Sequence, residues 1–180
     1  MIVLRRLLSI FGVPARSYPK DYWPSVVILL KENQVLSPED ILSRAQASWG
    51  AHAPVEAIGK LKDSASYIFR SGGLIFSVNF GAGRYCVEGR EHLEVLQRAW
   101  DEHTSWMSID MPNETNDHLY KTKALGSSYQ LLLVFAFKSW SANCTGVYFP
   151  AESVTIPNFG ELAGSIQWCR KNGLNLEFLK

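Results

Sequence analysis

The sequence predicts an α+β fold, a mostly antiparallel sheet with helices packed on one face, and three stretches carry that prediction. Residues 25–30, SVVILL, are a β-branched apolar run with the character of a buried strand. Further on, Tyr67-Ile68-Phe69 and Leu74-Ile75-Phe76-Ser77-Val78 flank Ser71-Gly72-Gly73, the pattern of a β-hairpin with a glycine turn. Residues 89–111 read as an amphipathic helix running straight into a strand. Leu93, Leu96 and Trp100 stand at i, i+3 and i+7 with Ala99 beside them, and Glu91, Glu94, Gln97, Arg98, Asp101 and Glu102 take the opposite face. Trp106, Ile109 and Met111 then carry an extended segment that Pro112 and Asn113 end.

The remaining elements follow in chain order. Residues 14–24, PARSYPKDYWP, hold three prolines and read as an extended lead-in, so the chain divides into a lead-in over 1–24 and one α+β domain over 25–180. Ser37-Pro38-Glu39-Asp40 starts a helix: a serine cap, proline at the first helical position, and acids in the first turn. Ile41, Ala45 and Trp49, with Leu42 alongside, form its inner face, and Gly50 stops it. Ala57–Leu61 is a short strand. The run LLLVFAF, residues 131–137, is apolar all round; the polar lead-in from Asp117 to Gln130 favours a helix there, beginning near Asn116. Thr145–Pro150 is a strand that Ser153–Ile156 continues or pairs with. Phe159, Leu162, Ile166 and Cys169 mark a last helix closed by Gly173, and the alternation of Leu174, Leu176 and Phe178 predicts a final short strand. The first six elements match a split βαβ, ferredoxin-like core, with extra C-terminal helices beyond it.

Composition narrows the function. The chain has 180 residues, enough for one well-buried core. Only 19% are charged, below the roughly 25% of ordinary domains, so the core is generous or a partner covers part of the surface. A net charge of +1 argues against nucleic acid, whose backbone calls for a basic stripe. In the first residues Arg5 and Arg6 interrupt the apolar run, which predicts a short amphipathic segment and not a secretory signal. No stretch approaches the roughly 20 apolar residues of a membrane span. Three cysteines, Cys86, Cys144 and Cys169, have no metal or redox spacing and read as reduced thiols of a cytoplasmic protein.

Reactive constellations are sought and not found. Gly81-Ala82-Gly83 opens like a dinucleotide loop, but Cys86 stands where its third glycine belongs. His92 and His103 lie about 16 Å apart along one helix, too far to share a metal, and no Cys/His cluster exists. No cofactor and no metal are therefore expected. His103 is the one weak catalytic candidate: it closes the amphipathic helix beside Asp101 and Glu102, where a carboxylate could orient an imidazole. Capping of the helix C-terminus, where a cation favours the dipole, is the reading preferred for it. Asn143-Cys144-Thr145 and Asn113-Glu114-Thr115 match the glycosylation pattern, which has no meaning in a cytoplasmic chain. Binding candidates are better supported. Tyr18, Tyr22 and Trp23 sit on the proline-rich lead-in as aromatic anchors, and Glu91, Glu94, Asp101 and Glu102 form an acidic helix face.

A resemblance rests on residues 85–165. Ala99-Trp100 and His103 end a helix, Trp106–Asp110 form a strand, and Gly146-Val147-Tyr148-Phe149-Pro150-Ala151 close the set after a long apolar helix. This part resembles a bacterial family known as the domain of unknown function numbered 4261; the aromatic lead-in departs from it. The resemblance implies a small α+β protein encoded near secretion or toxin loci. The expected function is thus a non-enzymatic bacterial protein that binds another protein, an immunity protein neutralising a toxin by occlusion. The alternatives are an enzyme of unassigned class using His103 with a nearby carboxylate, and a self-associating homodimer.

Overall fold

A computed structural model describes residues 24–50, 55–60, 66–71, 74–86, 94–111, 129–139 and 142–179. In chain order its elements are β1 (Ser25–Leu30), α1 (Pro38–Trp49), β2 (Val55–Lys60), β3 (Ser66–Ser71), β4 (Leu74–Ala82), α2 (Glu94–Glu102) and β5 (Ser105–Asp110). They continue with α3 (residues 129–139), β6 (Cys144–Phe149), β7 (Val154–Pro157), α4 (Leu162–Lys171) and a 3-10 turn at Glu177–Leu179. The seven strands make one sheet in the order β2-β3-β4-β5-β1-β6-β7, antiparallel at every seam.

The α+β class and the antiparallel sheet are as the sequence predicts; the connectivity is not the split βαβ repeat, whose core places parallel strands side by side. β1 decides this. Val26, Ile28 and Leu30 enter one core and Val27 and Leu29 another, so the strand is apolar on both faces and belongs at the centre. It pairs with β5 and β6, which arrive much later in the chain. β2 to β5 form a meander beside it, built around the predicted hairpin in which Ser71 stands opposite Leu74.

Helices cover both faces and not one. On the first face, Ile41 and Ala45 of α1, Leu132, Phe135 and Ala136 of α3, and Cys169 of α4 meet Phe69, Phe76, Val78, Met107, Ile109 and Val147. On the second face α2 packs on β6 and β7, with Trp100 against Val27, Leu29 and Tyr148. The cause is again β1, whose second apolar face needs its own cover. The predicted last strand is also absent: Leu176 and Leu179 are buried in the 3-10 turn, and Phe178 packs on Tyr129 and Phe149 at 5.3 and 4.9 Å. Two non-local ring contacts replace a strand whose alternation alone was the signal.

Local chemistry places the other ends. Ser37 Oγ accepts from the Asp40 N–H at 3.1 Å and donates to the Asp40 carboxylate at 2.9 Å. Gly50 closes α1 in the left-handed region, φ 83°, where its N–H reaches the Gln46 carbonyl. Trp49 Nε1 donates to the Leu131 carbonyl at 3.0 Å and the ring packs edge-on against Phe76, tying α1 to α3 and the sheet. Among the described residues no helix is long and apolar enough to cross a membrane.

Candidate functional site

Two regions of the second sheet face differ, and the register explains how. Gly81, Trp106, Leu29 and Gly146 stand opposite one another across four strands. The Trp106 indole lies across Gly81: a Cβ there would sit 2.1 Å from Trp106 Cε2. Tyr85 meets Trp106 edge-on at 5.2 Å, and Trp100 meets Tyr148 likewise at 5.2 Å. Trp100 Nε1 donates to Thr155 Oγ1 at 3.1 Å. These rings fill the space between α2 and the sheet by contacting one another.

His103 belongs to that cluster. It is 1% exposed. The Tyr85 N–H donates to Nε2 at 2.9 Å, which requires Nε2 to be the acceptor. Nδ1 therefore carries the proton and donates to the Trp100 carbonyl at 2.5 Å. The ring is a neutral imidazole that joins the end of α2 to the segment after β4. In this arrangement the ring is buried and main-chain groups engage both of its nitrogens. The two flanking acids are exposed: Glu102 accepts from Arg98 Nε at 2.5 Å, while Arg84 donates to the main-chain carbonyl of Asp101 at 2.9 Å. That pairing holds the Glu102 carboxyl below the usual carboxylate range.

Cys144 and Cys169 are buried, and burial pushes their thiols up to about 12 and about 11, so both stay protonated at neutral pH. Cys86 is exposed, its Sγ 3.7 Å from the Arg84 carbonyl. Asn143 is locked into the β1–β6 connection, accepting from the Glu32 N–H at 2.9 Å and donating to the Glu32 carbonyl at 3.1 Å. On the first face a groove of about 340 Å³ is lined by Val134, Phe137, Lys138, Gly160 and Leu162. Its cation, Lys138, lies 3.4 Å from the Ser48 carbonyl. Among the described residues no three His, Cys, Asp or Glu side chains converge on a metal position.

The other half of the second face, over β2 to β5 and the start of β1, is different. Ser66, Asn79, Ser108 and Val27 align in one row, and Ile68, Ser77, Asp110 and Ser25 in the next. Ser25 Oγ donates to Asp110 Oδ1 at 2.5 Å. Asn79 Nδ2 donates to Asp110 Oδ2 at 3.0 Å and to Ser108 Oγ at 3.1 Å, and Ser108 Oγ donates to Oδ2 at 3.2 Å. All four side chains are half-buried, and Ile68 and Ile75 border them at similar exposure. β2 continues this half outward with Glu56 to Lys60 exposed and Ile58 47% exposed. The Glu56 carboxylate lies 3.7 Å from Arg70.

The structure therefore brings together Ser25, Asn79, Ser108 and Asp110, none of which is a candidate site residue by sequence. Their signal was present as polar alternation: Ser77 and Asn79 between Phe76, Val78 and Phe80, and Ser108 and Asp110 between Met107, Ile109 and Met111. What was missing was the register that sets the two strands side by side. Of the residues that were selected, Tyr18, Tyr22, Trp23 and Glu91 lie outside the described residues, as does the Glu94 side chain. Comparison with family models, curated proteins and solved structures finds no match to this chain.

Proposed function

We propose that this chain is a non-enzymatic protein-binding protein of the bacterial cytoplasm, and that its partner docks on the open half of the second sheet face. The division of that face carries the proposal. One half is closed by α2 and interlocking aromatic rings, while the other presents a hydrogen-bonded polar set edged by isoleucines. A sheet face in a packed domain is ordinarily covered. Here Ser25, Asn79, Ser108 and Asp110 stay half-buried, and the mixture of fixed polar groups and apolar edges is that of a non-obligate protein interface. The low charged fraction agrees with a surface that spends its time against another protein. The finer reading is an immunity protein that occludes a toxin, with exposed Asp101 and Glu102 and the aromatic lead-in extending the contact.

Co-expression with the tagged product of a neighbouring gene tests this. The wild-type chain is expected to co-purify stoichiometrically, and Ser108→Arg, placed mid-face, to weaken the complex at least tenfold while leaving the circular-dichroism spectrum intact. Failure to co-purify, or a complex indifferent to Ser108→Arg, overturns the reading. A lone chain that elutes as a dimer sensitive to the same substitution makes the occupant a second copy.

A further inference from the structure

We infer that Asp110 is the receptor for one basic side chain, lysine or arginine, that the protein partner lays on the open half-face. This deepens the partner-binding reading above and rests on it.

The argument begins with the carboxylate. Asp110 accepts three hydrogen bonds, one at Oδ1 from Ser25 and two at Oδ2 from Asn79 and Ser108. A carboxylate has room for about four. Both oxygens are thereby fixed, and Oδ1 retains acceptor capacity. Every donor is uncharged, so the group is oriented without being neutralised. Several of the described arginines are committed elsewhere. Arg70 pairs with Glu56, Arg98 with Glu102, Arg84 donates to the Asp101 carbonyl, and Arg44 to the Ser139 carbonyl. Among the described residues none forms an ion pair with Asp110. In its own row and the adjacent one, across β3, β4, β5 and β1, the described residues are serines, an asparagine, Ile68 and Val27, and the paired Arg70 and Glu56 lie one row further out, beside Ile75.

One oriented negative charge flanked by two rows of uncharged side chains sets a condition on whatever covers it. Docking removes water from Asp110, and a buried uncompensated charge opposes association. An acidic partner is repelled, and a neutral apolar partner must desolvate the carboxylate without return. A partner that supplies an N–H donor with positive charge turns the same burial into a charge-assisted hydrogen bond. Ile68 and Ile75 can receive the aliphatic stem of such a side chain.

The test uses the full-length ¹⁵N-labelled protein and a blocked tetra-arginine peptide, with tetraglutamate as control. Tetra-arginine is expected to shift the amides of Ser25, Asn79, Ser108 and Asp110 saturably. The apparent affinity should fall at least threefold on going from 50 to 500 mM NaCl. Asp110→Asn should abolish the shifts, and Asp110→Glu should keep affinity within threefold; tetraglutamate should shift nothing at these positions. Shifts centred on Glu56 or Asp101, or persisting in Asp110→Asn, overturn the inference. The partner complex separates the two proposals. If Ser108→Arg abolishes that complex while Asp110→Asn leaves its affinity and salt dependence unchanged, partner binding stands and the basic side chain falls.

Discussion

At the scale of single residues, His103 shows how a side chain with catalytic credentials can be tied into the main chain. Two of its partners are main-chain groups, neither of which has a signature in the sequence; its place at the end of α2 was legible there. His103→Phe preserves the ring volume and its edge-on contact with Trp100 but leaves the buried Tyr85 N–H and Trp100 carbonyl without their partner. The expected loss is about 3 kcal/mol of unfolding free energy, measured by urea denaturation. The thiols separate by depth. Iodoacetamide at pH 8 should modify Cys86 alone in the folded protein and all three cysteines in denaturant. The Arg98–Glu102 pair predicts a pH response. The folded chain holds Glu102 below its unfolded value, so the contribution of the pair is present above the ordinary carboxylate range and fades as acid protonates Glu102. Carboxyl NMR titration should find the Glu102 midpoint below that of an ordinary glutamate, and Arg98→Ala should raise it.

At the scale of elements, α1 and the β3–β4 hairpin were readable because their determinants are local: a cap, a proline, a stop, a two-glycine turn. The polar set around Asp110 and the ring cluster around Trp106 were not, because each depends on which strands become neighbours. Gly81 illustrates the difference. In the sequence it resembles part of a phosphate loop; in the sheet it is the floor on which the Trp106 indole rests. Gly81→Ala should cost about 1–3 kcal/mol by overpacking, with a change in tryptophan fluorescence as the indole is displaced. The two outer strands are managed differently. β7 is short, largely buried and ends at Pro157, whereas β2 carries a register shift between Ala57 and Gly59 with Glu56 and Lys60 beside it. Bulges and charges of this kind discourage edge-to-edge pairing.

At the scale of the whole molecule, the α+β class was legible from periodicity and the strand order was not. The alternation of apolar residues says that a strand has a buried face but not which strand will supply its hydrogen bonds. β1 could have been recognised as central from SVVILL alone, since no residue between Val26 and Leu30 is polar; the second helical layer follows from the same observation. Amide exchange should reveal this hierarchy. The β1 amides should exchange only through global unfolding, and the amides on the outer rim of β2 through local opening several orders of magnitude faster. Refolding is expected to be slow for a chain of this size, because the central seams join residues 25–30 to residues 105–110 and 144–149.

The central position of β1 also has a meaning for synthesis. SVVILL is among the first described segments to leave the ribosome, yet its second neighbour is not translated until Phe149. Throughout elongation this sticky hexapeptide lacks at least one of its lateral mates, and nascent chains released before Cys144 should precipitate or engage chaperones where the finished protein does not.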